Sequence, residues 1–179
     1  MNNVEKFCEI IRSRSNEHKS AIDLLYNARL TGSILSILRQ ELDSMVRVIF
    51  LLNQSLYERI HLINSTLNGQ KWKLLNNQQV TDKQMVDLAS NLNGWEKYVY
   101  KFGCAFIHLS SFHDYSFNNP FENLTQEEAD SVKNYLNSYH NFPLENELTV
   151  ESVFDYLPMV FNKIRSNLEY YLVSLENQQ

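Results

Sequence analysis

The sequence predicts an all-α fold: one domain, residues 1–179, built as a bundle of about five to seven helices with a long central helix and a long C-terminal one. Three observations predict it. Only four Gly and three Pro occur in 179 residues, too few to turn a many-stranded chain. Between Ile34 and Leu67 apolar residues recur at helical spacing without an intervening proline. Two capping-box patterns, Thr81 with Gln84 and Thr125 with Glu128, mark helix starts in the second half. A hydrophobic content of 44%, with ten Tyr and ten Phe, is enough for a single core without disulfides or metals.

Each element follows in order. From about Asn3 to Ala28, Val4, Phe7, Ile11, Ile22 and Leu25 sit at three-to-four spacing around a polar middle of Arg12 to Lys19, which fits one helix or two. After Gly32 and Ser33 comes the strongest pattern, Ile34 through Met45, Ile49 and Ile60 to Leu67, expected as a long central helix with a bend near Asn53. Asn68 and Gly69 are its stop, and a polar linker runs to Val80. Thr81 opens a helix through Met85, Leu88 and Leu92, and another is expected from Gly94 or Trp95 to Phe112. The stretch SFNNPFEN, 116–123, is a loop because Pro120 disfavours helix at the residue before it. Thr125 opens a helix through Tyr139 that Pro143 ends, and Thr149 caps the last, long helix, with a kink expected at Pro158.

The net charge of −5 argues against wholesale electrostatic attraction to nucleic acid or anionic membranes and leaves room for a local basic pocket. Charges interrupt the N-terminal segment too early for a signal peptide, and no apolar run approaches the roughly 18 residues of a membrane span. Cys8 and Cys104 lie far apart in apolar helical contexts, so reduced, buried thiols in a cytoplasmic protein are expected. Phosphate-cradling glycine loops are absent, which excludes P-loop and Rossmann nucleotide binding, and no cofactor is expected. A ferritin-like metal centre needs two Glu-x-x-His pairs, and only Glu58 with His61 fits, so no metal is expected.

Two constellations carry candidate chemistry. In MVRVIFLL, Arg47 is the only polar residue of Met45–Leu52, and with Arg39 and Asp43 it forms a ladder of alternating charge on one helix face. Glu41 falls inside the apolar cluster of the same helix. The second constellation is Cys104, His108, Ser111 and His113, the first three on one face of the helix expected after Trp95 and His113 nearer its apolar stripe. The functional reading makes His108, Arg47 and Asp43 catalytic and Arg39, Glu41 and Ser111 ligand-binding, with His108 as acid or base and Arg47 holding an anionic phosphate. The plain reading is an ion-pair network that sets helix register beside a satisfied core histidine. Cys104 with His108 lacks an evident oxyanion hole for nucleophilic catalysis. Arg12, Arg14, His18 and Lys19 read as a small basic patch on a solvated face.

The segments LRQELDSMVRVIFLL, YERIHLINSTLNGQ and YVYKFGCAFIHLSS, followed by a long C-terminal helix, give a layout over Ile34 to Leu175 that resembles the HEPN-like helical-bundle proteins of bacteria. Many of those are uncharacterised or linked to toxin and anti-phage systems. The resemblance implies a helical bundle, a homodimer or protein partner, and RNA as substrate, since active members are metal-independent ribonucleases. Those members carry an Arg, a polar residue and then a His four to six residues on, usually in the C-terminal half. Here such a spacing joins Arg12 to His18 at the N-terminal end, whereas Arg39 with Asp43 and a later His108 is similar to the uncharacterised relatives. The alternative from another class is a non-catalytic interaction module or dimerising scaffold, with Tyr100, Phe117, Phe121, Tyr170 and Tyr171 as candidates for its partner surface.

Overall fold

The computed structural model describes residues 1–93, 115 and 117–178, and its chain is an all-α bundle. The helix α1, Asn3–Asn27, is one continuous rod. Asn2 caps it reciprocally, its side chain accepting from the Glu5 amide while the Glu5 carboxylate accepts from the Asn2 amide, both at 2.9 Å. The polar middle does not interrupt it, because Ser15 and His18 fall on the same inward stripe as Ile11 and Ile22.

The run expected as one long central helix is divided into α2, Thr31–Leu52, and α3, Leu56–Leu67. Ser55 caps α3 by accepting from the Glu58 amide at 3.4 Å. Arg59, on the first turns of α3, donates to the carbonyls of Leu51 at 3.0 Å and of Leu52 and Gln54 at 3.3 Å, serving backbone acceptors at and just beyond the end of α2. An apolar period alone does not register such a break, since both pieces keep their inward faces in phase.

After Leu67, Gly69 takes the left-handed conformation at φ +67°, as the stop signal implied. The linker to Val80 is not featureless: an antiparallel bridge between Lys73 and Gln79, turned through Asn77 at φ +66°, holds Trp72 in the core. The Thr81 and Gln84 capping box opens α4, Asp82–Asn93, with the Thr81 amide donating to Gln84 at 2.9 Å. The helix expected from Gly94 or Trp95 to Phe112, with Cys104, His108 and Ser111, lies outside the described residues. A short 3₁₀ turn at Pro120–Asn123 leads to α5, Gln126–His140, capped by Thr125 and Glu128 and closed by Asn141 at φ +59° before Pro143 is reached.

The last helix differs from expectation. Thr149 caps only a five-residue helix, α6, Val150–Phe154, and the long α7 begins anew at Leu157–Asn177. Pro158 stands in the first turn of α7, where its missing N–H costs no hydrogen bond, so it starts a helix and does not kink one.

α2 is the centre of the bundle. It packs most extensively on α7 and also on α1 and α4, while α1 touches α3 and α7. Leu42, Met45, Val46 and Val48 have no solvent exposure, which accounts for an apolar sequence almost all round the helix. Cys8 is a free, buried thiol, pushed up to about 12 by burial and then by the nearby Glu176. Among the described residues no helix is long and apolar enough to cross a membrane.

Candidate functional site

The four-residue steps of α2 place Arg39, Asp43 and Arg47 one above another, and the ladder points at the start of α4. Asp43 lies 2.9 Å from Nε of Arg47 and 3.5 Å from Nη1 of Arg39. Asp82, the first residue of α4, completes a four-membered network at 3.1 Å from Arg47 and 3.7 Å from Arg39. Side-chain exposure rises along it, from 7% at Arg39 through 18% at Asp43 to 33% at Arg47. The network thus begins in the core and ends at an opening. There the Arg47 guanidinium lies 5.2 Å from the ring centre of Trp72, a cation–π contact on an indole that is itself buried.

The opening is a groove of about 510 Å³ between α1, α2, the end of α3 and the 70–82 segment. Among the described residues its charged lining is Arg14, Arg47, Lys71 and Asp82, and Phe7, Ile10, Ile11 and Val80 add an apolar lining. Arg14 is held differently from Arg47. Its guanidinium donates to the Ser44 hydroxyl at 3.2 Å and the Gln40 side-chain oxygen at 3.3 Å, and among the described residues no carboxylate lies within salt-bridge distance of it. Lys71 is exposed on the rim and likewise has no ion-pair partner among the described residues. A chain of net charge −5 therefore gathers cations here in excess of carboxylates.

Glu41 belongs elsewhere. Two positions before Asp43 on α2, it points into the seam with α1, where the Ser15 hydroxyl donates to Oε1 and Nδ1 of His18 lies 2.7 Å from Oε2. All three residues are buried, Glu41 completely. The carboxylate expected to bind ligand beside the ladder is thus a partner for two buried α1 side chains, and it does not line the groove.

The expected basic patch on α1 is also dispersed. Arg12 turns to α7 and holds Glu169 at 2.8 Å and Glu176 at 2.6 Å. Their hydrogen bonds push Arg12 further up, and in return Arg12 holds the Glu176 carboxyl below the usual carboxylate range. Arg14 turns to the groove, His18 is buried, and Lys19 pairs with Asp23. Of the aromatic candidates for a partner surface, Phe117 and Tyr170 are exposed, Tyr171 is half-buried and Phe121 is buried, the last anchored by its 3₁₀ turn.

Of the expected site residues, the structure brings Arg39, Asp43 and Arg47 together and separates Glu41 from them, while His108 and Ser111 lie outside the described residues. The residues that the sequence reading missed are Asp82, Arg14, Lys71 and Trp72. Asp82 carried a signal, an acid at the first position of a capped helix, but its partner could not be named from spacing. Ser15 and His18 carried one too, since they keep phase with Ile11 and Ile22. Among the described residues no group of three or more His, Cys, Asp or Glu could hold a metal ion. Comparison with known proteins returned no matching family model, no matching curated protein and no matching solved structure.

Proposed function

We propose that this chain is a HEPN-like helical-bundle protein whose groove between α1, α2 and the 70–82 segment binds a phosphate-bearing ligand, with RNA the ligand class that the resemblance favours. The observation that carries the reading is that Arg14 pairs, among the described residues, only with neutral Ser44 and Gln40, beside Arg47 and the open Lys71. Aspartates that fully neutralise the ladder's arginines leave Arg14 and Lys71 unmatched, and a phosphate oxygen is the acceptor a guanidinium fork suits. A place in a toxin or anti-phage system, and metal-independent cleavage with His108 handling a proton, belong to the same proposal and rest on the resemblance.

The test is binding of fluorescein-labelled single-stranded RNA followed by anisotropy, with Arg14→Ala and Lys71→Ala, then cleavage in EDTA with His108→Ala. Binding that weakens in both groove variants supports the groove, and cleavage lost in a folded His108→Ala supports the catalytic extension. Wild-type protein that binds no RNA and no phosphate-bearing ligand sinks the reading.

A second reading, a non-catalytic interaction module, is favoured by the charge balance of the ladder itself. Two arginines face two aspartates, which suffices to fasten α4 to α2. A dimer by analytical ultracentrifugation, lost on substitution of the exposed Tyr170 and without any ligand effect, would establish it.

A further inference from the structure

We infer that the groove selects a phosphomonoester, a terminal phosphate carrying close to two negative charges, attached to an apolar body of about one nucleotide's size. The inference rests on the anion-binding reading above and narrows it. Its first support is charge. Among the described residues, three cations, Arg14, Arg47 and Lys71, and one carboxylate, Asp82, line the groove, leaving two positive charges in excess. Including Arg39 and Asp43 behind them adds one charge of each sign and leaves that excess unchanged. An internal phosphodiester of a nucleic-acid strand carries one charge and a phosphomonoester near neutral pH carries about 1.5 to 2, so a single phosphomonoester matches the excess where a single internal phosphodiester does not.

The second support is shape. About 510 Å³ falls within the size of a small-molecule pocket and is short for a strand passing through. Beside the cations the lining is apolar, made by Phe7, Ile10, Ile11 and Val80, with Ile10 left 49% exposed. Such a lining offers apolar contact to a base, an aryl ring or an alkyl group, chiefly through Ile10, and no cation to a second phosphate. Trp72 does not provide a stacking face, because it is buried beneath Arg47 and beside Phe50. Gln70 and Gln79 at the rim add uncharged donors and acceptors for a sugar or other polar edge.

The third support is how the cations are held. Arg47 is fixed by Asp43, Asp82 and the Trp72 ring, so it presents a positioned charge. Arg14 is tethered only by two hydrogen bonds near the long end of the normal range, to Ser44 and Gln40, so it can exchange them for a phosphate at small cost. One fixed and one exchangeable guanidinium, with a lysine at the mouth, is a donor set that can surround a terminal phosphate from several sides.

The ligand could be a free metabolite or the phosphorylated end of a strand, and the experiment separates the two. Calorimetric titration would use adenosine monophosphate, phenyl phosphate, adenosine and inorganic phosphate, and a ten-nucleotide RNA made with either a 5′-phosphate or only hydroxyl ends. The expected result is that adenosine monophosphate or the 5′-phosphorylated RNA binds at least about tenfold tighter than its unphosphorylated counterpart. Arg14→Ala and Lys71→Ala should each lose about tenfold, and Arg29→Ala, an exposed arginine paired with Glu151 away from the groove, nothing. Tight binding of adenosine monophosphate alone identifies a metabolite, and tight binding of the phosphorylated RNA alone identifies a strand end. Equal affinity for phosphorylated and hydroxyl-ended RNA, with adenosine monophosphate no tighter than adenosine, overturns the inference while leaving the anion-binding reading intact. No binding of any probe to a protein with native circular dichroism overturns both. Lys71→Ala, at an exposed position, keeps the test decisive if Arg14→Ala fails to fold.

Discussion

Glu41 and Asp43 stand two residues apart on the same helix and lead opposite lives. Glu41 is sealed between α1 and α2, its two oxygens taken by Ser15 and His18. Asp43 sits between two arginines in a network that runs outward to Asp82 and the groove. Two residues turn a helix by about 200°, so one carboxylate must face away from the other. What each meets is then decided by the neighbouring helix: α1 offers hydroxyl and imidazole, while α4 offers a second aspartate. The closed seam reads as structure. The open ladder, whose last arginine reaches the groove, reads as the edge of a site.

The comparison breaks most visibly at the seam. Glu41→Ala should cost about 3 kcal/mol in urea denaturation, because Ser15 and His18 are left buried without their acceptor. A loss below that of a surface substitution would show that the seam opens to water and is not closed. Asp43→Ala should cost less, about 1 to 2 kcal/mol, since Asp82 still faces both arginines. Asp82→Asn, at a side chain 47% exposed, should cost only about 0.5 kcal/mol and should tighten anion binding in the groove, because it removes the one carboxylate of the lining among the described residues. Weaker anion binding in Asp82→Asn would mean that the aspartate positions Arg47 and does not compete with the ligand.

The smallest expected effect is on pH dependence. His140 is buried, its Nε2 has no hydrogen-bond partner among the described residues, and burial followed by the charge of Lys163 lowers its pKa from the ordinary 6.5. The folded state therefore binds this proton less readily than the unfolded chain. The contribution of His140 is fully present above the ordinary value and is lost as pH falls below it. The melting temperature should drop modestly between about pH 7.5 and about pH 5.5, less so in His140→Gln. A drop of unchanged size in His140→Gln would mean that another group carries it.

Much of the fold was legible along the chain. Capping at Thr81 and Thr125, the stop at Gly69 and the apolar period of α2 are local properties, written within a few residues of where they act. The break at Asn53 was half-legible: Ser55 with Glu58 was a cap in plain view, but the continuing apolar period masked it, and Arg59's role in closing α2 needed the fold. Pro158 was misread because a proline's effect depends on whether the helix has already begun.

The candidate site divides the same way. That Arg39, Asp43 and Arg47 share a face, and that Glu41 leaves it, follows from helical geometry alone. Which carboxylate is sealed and which is shared depends on Ser15, His18 and Asp82, residues 23 to 43 positions away in sequence from the α2 groups they meet. The groove itself joins Arg14, Arg47 and Lys71 from three separate segments. By itself the sequence determined the helices, their inward faces and the alternating charge of α2, because those rest on short-range periodicity and caps. Only the tertiary structure decided what the charges face, because pairing between helices depends on packing angles and rotations that no single helix encodes.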